Sequence, residues 1–169
     1  MARELLENAR WGFDSNCFVC EPANQSGLGI GFYADRDAGT VSADFSLDHR
    51  FSGAPSYVHG GLVLAVLDEA MAWATISLAG SFAVTKETTT RFRAPVRVGE
   101  SYSVTAGVEE QGERELACWA EITDAEGGVC SIARATFVRM GPAQAVDALG
   151  AEVSGDDAAY VRDDGMGQL

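Results

Sequence analysis

Between residues 62 and 79 almost every position is apolar, whereas the chain on either side alternates apolar and polar residues with a period of two. Such alternation marks strands that bury one face. Val41, Ala43, Phe45 and Leu47 alternate with polar neighbours in residues 40–47, and Tyr102, Val104, Ala106 and Val108 do so in 100–110. Leu116, Cys118, Ala120 and Ile122 repeat the pattern in 114–124. Residues 28–34 (LGIGFYA) read as a strand paired with 40–47, and 82–93 and 128–140 carry the Thr, Val and aromatic enrichment of further strands. Turn signals separate these runs: DRDAG, Pro95 with Gly99, Gln111-Gly112 and Gly127-Gly128. The apolar run follows a connection over 48–58 that contains Gly, Pro and Ser, and its length predicts a helix.

Two strands, one long helix and then four strands predict an α+β fold. The helix lies on a strongly curved antiparallel sheet of about five to six strands. A helix that is apolar nearly all round must be covered on most sides, and one sheet covers only one of them. A partner subunit supplies the remaining cover in this reading, so at least a homodimer is expected.

Composition narrows the partners. The net charge of −13 argues against nucleic acid or an anionic membrane as a general partner. Mean hydropathy near zero suits an ordinary globular domain. No apolar run is expected to reach the length of a membrane span, and MARELLENAR lacks the apolar core of a secretory signal, so a cytoplasmic location is expected. That N-terminus reads as a short amphipathic helical extension over 1–13, ahead of one domain over 14–140. Residues 141–169 form an acidic extension, an accessory helix or loop. Asp147, Glu152, Asp156, Asp157, Asp163 and Asp164 there face only Arg162. Cys17-Phe-Val-Cys20 has the spacing of half a zinc site or a redox motif, but no second Cys or His pair follows it. Packing is the preferred reading, with no metal and no cofactor.

The candidate chemistry lies in SYVHGGLVLAVLDEAMAWA, residues 56–74. Burying an ionised carboxylate costs several kcal/mol unless it is paired, yet Asp68 and Glu69 stand together inside the apolar helix. Adjacent helical residues point about 100° apart, so the two face different surroundings. His59-Gly60-Gly61 at the helix start lets a ligand approach the backbone, with free N–H groups at the positive end of the helix dipole. That is a ready site for a polarised carbonyl. Asp68 lies eight residues beyond Gly60, roughly 12 Å along the helix, too far to attack a carbonyl held by its own helix start. Two antiparallel helices across a two-fold axis bring one helix start to the other subunit's Asp68. Lys86, Arg91, Arg93 and Arg97 concentrate basic charge in an acidic chain, a patch suited to a phosphorylated substrate such as coenzyme A. Thr85 opens the same strand and offers a hydroxyl.

The run FSGAPSYVHGGLVLAVLDEAMAW, followed by AVTKETTTRFRAPVRVGE, resembles the hotdog-fold acyl-CoA thioesterases, and within them the phenylacetate-pathway-type branch. NCFVCEPANQSGLGIGF resembles the Cys-x-x-Cys…Asn-x-x-Gly-Leu opening of that branch. The resemblance spans residues 14–140. It implies a hotdog fold, dimers or dimers of dimers with sites at the interface, and metal-free hydrolysis of an acyl-CoA thioester. The acidic residue nine positions after the motif His falls on Asp68, the oxyanion contact on Gly60, and a strand-start hydroxyl on Thr85. His59 completes the catalytic set, while Gly61, Glu69, Lys86, Arg91 and Arg93 are expected at the substrate. The sequence departs from the pattern at Gly53, where some members carry Asn or Gln, and at Glu21, where Gly is commoner. Two other readings compete with hydrolysis. One is a hotdog hydratase or dehydratase using Asp48-His49-Arg50-Phe51 with Glu69. The other is a non-catalytic acyl-CoA-binding module.

Overall fold

A computed structural model describes residues 3–11 and 15–150. The chain forms β1 (Glu4–Leu6), β2 (Phe32–Asp35), β3 (Thr40–Phe45), β4 (Ser52–Ala54), β5 (Tyr57–Val58), α1 (Gly60–Ser77), β6 (Ala83–Phe92), β7 (Tyr102–Gln111), β8 (Glu115–Asp124), β9 (Val129–Arg139) and α2 (Pro142–Leu149). Seven strands join one antiparallel sheet in the order β1-β2-β3-β7-β8-β9-β6, and β4 and β5 pair separately.

The alternating segments are strands because each buries one set of side chains against α1. Val104 and Ala106 of β7, Leu116, Cys118, Ala120 and Ile122 of β8, and Phe137 of β9 are all buried. Opposite them, Val66, Leu67, Ala70, Met71 and Ala74 of α1 have no exposed surface. Contrary to the expectation that no apolar run is long enough, α1 would qualify as a membrane span by length and composition. The sheet wrapped around it makes it a core helix. Its exit turn closes on Gly80 at φ 62°, a left-handed conformation that glycine adopts without a Cβ penalty.

The sheet has one strand more than expected, and the difference lies at the N-terminus. Where a helix was expected over 1–13, the described residues 3–11 form β1 followed by a single 3-10 turn, Asn8–Trp11. Leu6 pairs with Phe32 and is buried, so the segment gains more as an added edge strand than as a free amphipathic helix. At the C-terminal end α2 starts at Pro142 and stops at Gly150, which is left-handed at φ 70°. The rest of the acidic extension, from residue 151, lies outside the described residues.

At the opposite edge of the sheet, β6 runs ten residues and, among the described residues, pairs only with β9. A bulge at Lys86 interrupts this pairing: Thr85 lies opposite Phe137, but Glu87 lies opposite Thr136. The extra residue shifts the alternation by one. Thr85 therefore shares the helix-facing side with buried Phe137. Thr88, Thr90 and Phe92 share that side with buried Ala135, Ala133 and Ser131.

Leu67 is wholly enclosed between α1 and the sheet. Leu67→Ala is expected to lower the unfolding free energy by about 2–5 kcal/mol, read from urea denaturation at fixed protein concentration. A loss below about 1 kcal/mol would mean that the helix–sheet contact is not the main core.

Candidate active site

The start of α1 distributes its backbone donors unevenly. His59 is the N-cap, and its ring Nδ1 accepts from the Gly61 N–H at 2.9 Å. Since Nδ1 is the acceptor, the neutral ring carries its proton on Nε2. The His59 carbonyl accepts from Leu62 and Val63 at 2.9 and 3.1 Å. Among the described residues only the Gly60 N–H of this first turn has no acceptor. Gly61 was expected to help bind substrate, but its N–H is committed to His59. A Cβ at position 61 would also sit 3.1 Å from that ring nitrogen. Gly60 is open: a Cβ there would meet nothing nearer than Phe92, at 3.9 Å.

Gly60 borders a cavity of about 370 Å³ whose walls include Tyr57, Val63, Phe92, Val96 and Ser131. The cavity is mostly apolar, with two polar features. One is the free Gly60 N–H. The other is the Ser131 hydroxyl, buried and without a partner among the described residues. Phe92 is 56% exposed, high for a large apolar side chain at the rim of an apolar cavity. Neither Phe92 nor Ser131 was singled out from sequence; the pairing of β6 with β9 brings them opposite each other.

Further along α1, Thr85 donates its hydroxyl to Asp68 Oδ1 at 2.8 Å. The Lys86 bulge makes this contact possible by turning Thr85 toward the helix. Burial pushes the Asp68 carboxyl above the ordinary aspartate value, and the Thr85 hydroxyl partly offsets this by favouring the ionised form. The pair is thus a half-buried carboxylate of raised basicity, held by one hydroxyl. Within one chain it remains roughly 12 Å along the helix from Gly60.

The other expected residues are placed elsewhere. Glu69 turns away from Thr85 toward the N-terminal segment, where its Oε1 lies 3.4 Å from Cys17 Sγ. Lys86 is held by Glu115 at 2.7 Å. Arg91 alternates onto the outer face of β6, away from Asp68 and Thr85, and Arg93 continues beyond the strand at the cavity margin. Arg97 covers the Tyr57 ring at 5.3 Å. A Cβ at Gly53 would come within 3.0 Å of the His59 backbone, so packing against the cap favours glycine there. Asp48-His49-Arg50-Phe51 forms a 3-10 turn in which Asp48 caps and ion-pairs Arg50, a local structural use of that motif.

Residues 56–131, which contain the helix start, Asp68 and Thr85, match the family model of the thioesterase superfamily. The fold is a hotdog fold. Among solved structures, the hotdog domain is similar to the Escherichia coli PaaI protein of the phenylacetic acid degradation operon. That match has 25% identity over 68% of this chain and 81% of the other, with TM-score 0.61. A phenylacetic acid degradation-related protein of Ralstonia eutropha JMP134 matches at 26% identity over 66% and 85%, with TM-score 0.58. A hypothetical thioesterase of Streptococcus pneumoniae TIGR4, solved with coenzyme A, matches at 20% identity over 66% and 89%, with TM-score 0.62. Comparison with curated proteins finds no match.

The opposing effects on Asp68 are measurable. Carbon-detected NMR should show its carboxyl titrating above the ordinary aspartate range, and Thr85→Val should raise it further by removing the donor to the ionised form. A titration at or below the ordinary value, or one unmoved by Thr85→Val, would refute this account of the pair.

Proposed function

We propose that the protein hydrolyses acyl-CoA thioesters at a site assembled from two copies of the chain. The observation that carries this reading is the division of chemistry along α1: a free donor at Gly60, and a carboxylate–hydroxyl pair too far along the same helix to serve it. A two-fold pairing of antiparallel helices unites the halves and yields two equivalent sites. The ten-residue edge of β6 offers backbone groups for pairing with a second copy, and exposed Val84 and Phe92 offer apolar surface beside it. A dimer, or a dimer of such dimers, satisfies this arrangement. The functional domain spans 14–140, and its four free cysteines suit the reducing cytoplasm.

In the reaction the thioester carbonyl oxygen accepts from the Gly60 N–H, aided by the helix dipole. His59 acts by fixing the helix start. Asp68 of the partner subunit removes a proton from water while Thr85 holds the carboxylate. The resulting hydroxide adds to the carbonyl carbon, and the negative charge collects on the oxygen at Gly60. Collapse breaks the C–S bond; the departing thiolate takes the proton that Asp68 removed from water, which restores the carboxylate, and acid and coenzyme A are released. Direct attack by Asp68 would instead expel the thiolate and leave an acyl–aspartyl anhydride, which water then cleaves; cleavage at the aspartyl carbon would leave solvent ¹⁸O in Asp68 after a single turnover, whereas the water-activation route labels only the acid. The apolar cavity beside Gly60 suits the acyl group. Arg93 and the outward Arg91 suit the nucleotide phosphates, and Lys86 joins them on exchanging its exposed Glu115 partner. Two streptococcal relatives were solved with acetyl-CoA and with coenzyme A, which supports a CoA ligand here.

Asp68→Asn keeps the shape but removes the base. It is expected to lower kcat/KM for thiol release across an acyl-CoA panel by about 10²–10⁴-fold, with the oligomer unchanged by light scattering. Turnover like that of the unaltered protein would sink the assignment, and coenzyme A binding without turnover in the unaltered protein would favour a non-catalytic module.

A further inference from the structure

Glu69 is left unused by the proposed chemistry, and so is the Cys-x-x-Cys turn. The fold brings the two together. One ligand atom from each of Cys17, Cys20 and Glu69 lies within 4.8 Å of the other two. The turn that carries the thiols is tightly constructed. The Cys20 N–H points at Cys17 Sγ at 3.5 Å, Glu21 N–H closes on the Cys17 carbonyl at 3.3 Å, and Leu28 and Ile30 donate to Phe18 and Val19 at 2.7 and 2.9 Å. Gly27 is required behind it, because a Cβ there would fall 2.4 Å from the Phe18 carbonyl oxygen. Asn8 Nδ2 lies 3.3 Å from Cys20 Sγ, so the 3-10 turn after β1 reaches the same point.

Two thiols and a carboxylate facing one another in a largely buried place are poor partners for neutral packing. A thiol is a weak donor and does little for a buried carboxylate. Burial pushes Glu69 up to about 8. The Cys20 thiol and backbone N–H groups hold Cys17 down to about 5, and Cys20 itself is pushed far up.

We propose that Cys17, Cys20 and Glu69 bind one thiophilic divalent cation of the Zn²⁺ class, as a structural site that ties the N-terminal segment to the middle of α1. Two thiolates and a carboxylate are ordinary zinc ligands, and zinc bond lengths of about 2.0–2.3 Å set neighbouring donors roughly 3.5–3.8 Å apart. The Cys17–Glu69 separation of 3.4 Å already suits that spacing. A cavity of about 340 Å³ bounded by Leu6, Asn8, Cys20, Gly29 and Trp73 opens beside the cluster and gives the ion access. It also leaves room for water, or for the Asn8 carboxamide oxygen after an amide flip, as fourth ligand. Binding releases to solvent whatever protons the ligating thiols and carboxyl carry. The site is independent of the thioesterase reading, since the ion lies on a different face of α1 from Asp68 and takes no part in hydrolysis.

The test uses the full chain, purified with a phosphine reductant and stripped by chelation. Titration with Co²⁺ is expected to give thiolate-to-metal charge-transfer absorption and tetrahedral visible bands, saturating at one ion per chain. Zn²⁺ should displace the cobalt and raise the melting temperature. Glu69→Gln and Cys20→Ser should each weaken binding by more than the ~10–100-fold typical of outer-shell changes, whereas Cys118→Ala in the sheet should not. No thiolate–cobalt band with both thiols reduced would overturn the proposal. So would undiminished affinity in Glu69→Gln and Cys20→Ser, or a Cys17–Cys20 disulfide that persists in the reductant. The titration of the unaltered protein decides the matter even if a variant fails to fold.

Discussion

The burial of α1 is the constraint on which the rest of this structure depends. An eighteen-residue helix with apolar side chains on nearly every face cannot be left in water, and the sheet curls around it to take up most of that surface. Wrapping fixes the directions of β7, β8 and β9, because each must keep one alternating set of side chains on the helix. It also fixes where polar groups on α1 can go. Asp68 and Glu69 emerge through separate gaps in the cover, one toward β6 and one toward the N-terminal segment. Each meets the group its gap provides, a hydroxyl in the first case and a pair of thiols in the second.

Much of this was legible in the chain because burial on one face writes itself as alternation. Strands β3, β7 and β8 fall where their apolar residues recur at every second position, β9 falls where Thr, Val and aromatic residues gather, and α1 falls where the alternation stops. β1 was not legible. Three residues are too few to show a period, and Glu4–Leu6 is a strand only because β2 offers an unpaired edge to it. The helix start was legible as chemistry, since His-Gly-Gly before an apolar run signals exposed backbone. Its detail was not: the ring of His59 could have capped any of several donors, and only geometry assigns Gly61 to it and leaves Gly60 open.

The contacts of Glu69 illustrate a different barrier. Its thiol neighbours lie about fifty positions away in a segment whose local pattern says nothing about α1, so spacing rules for ligand pairs could not find them. Ser131 is similar. A lone serine in a strand carries no signal, and it matters only because the fold sets it beneath a cavity with its hydroxyl unpartnered.

The extra residue at Lys86 makes β6 a phase converter. By simple parity Thr85 belongs with Arg91 and Arg93, and an uninterrupted strand would set the hydroxyl and the guanidinium groups on one surface. The bulge reverses parity after the third residue, so a single strand delivers its hydroxyl inward at one end and the Arg91 cation outward at the other. The two surfaces can then change independently, since substitutions on the basic side leave the inward phase untouched. Deleting one residue at this point would do what no substitution there can, exchanging the two faces for the whole first third of the strand.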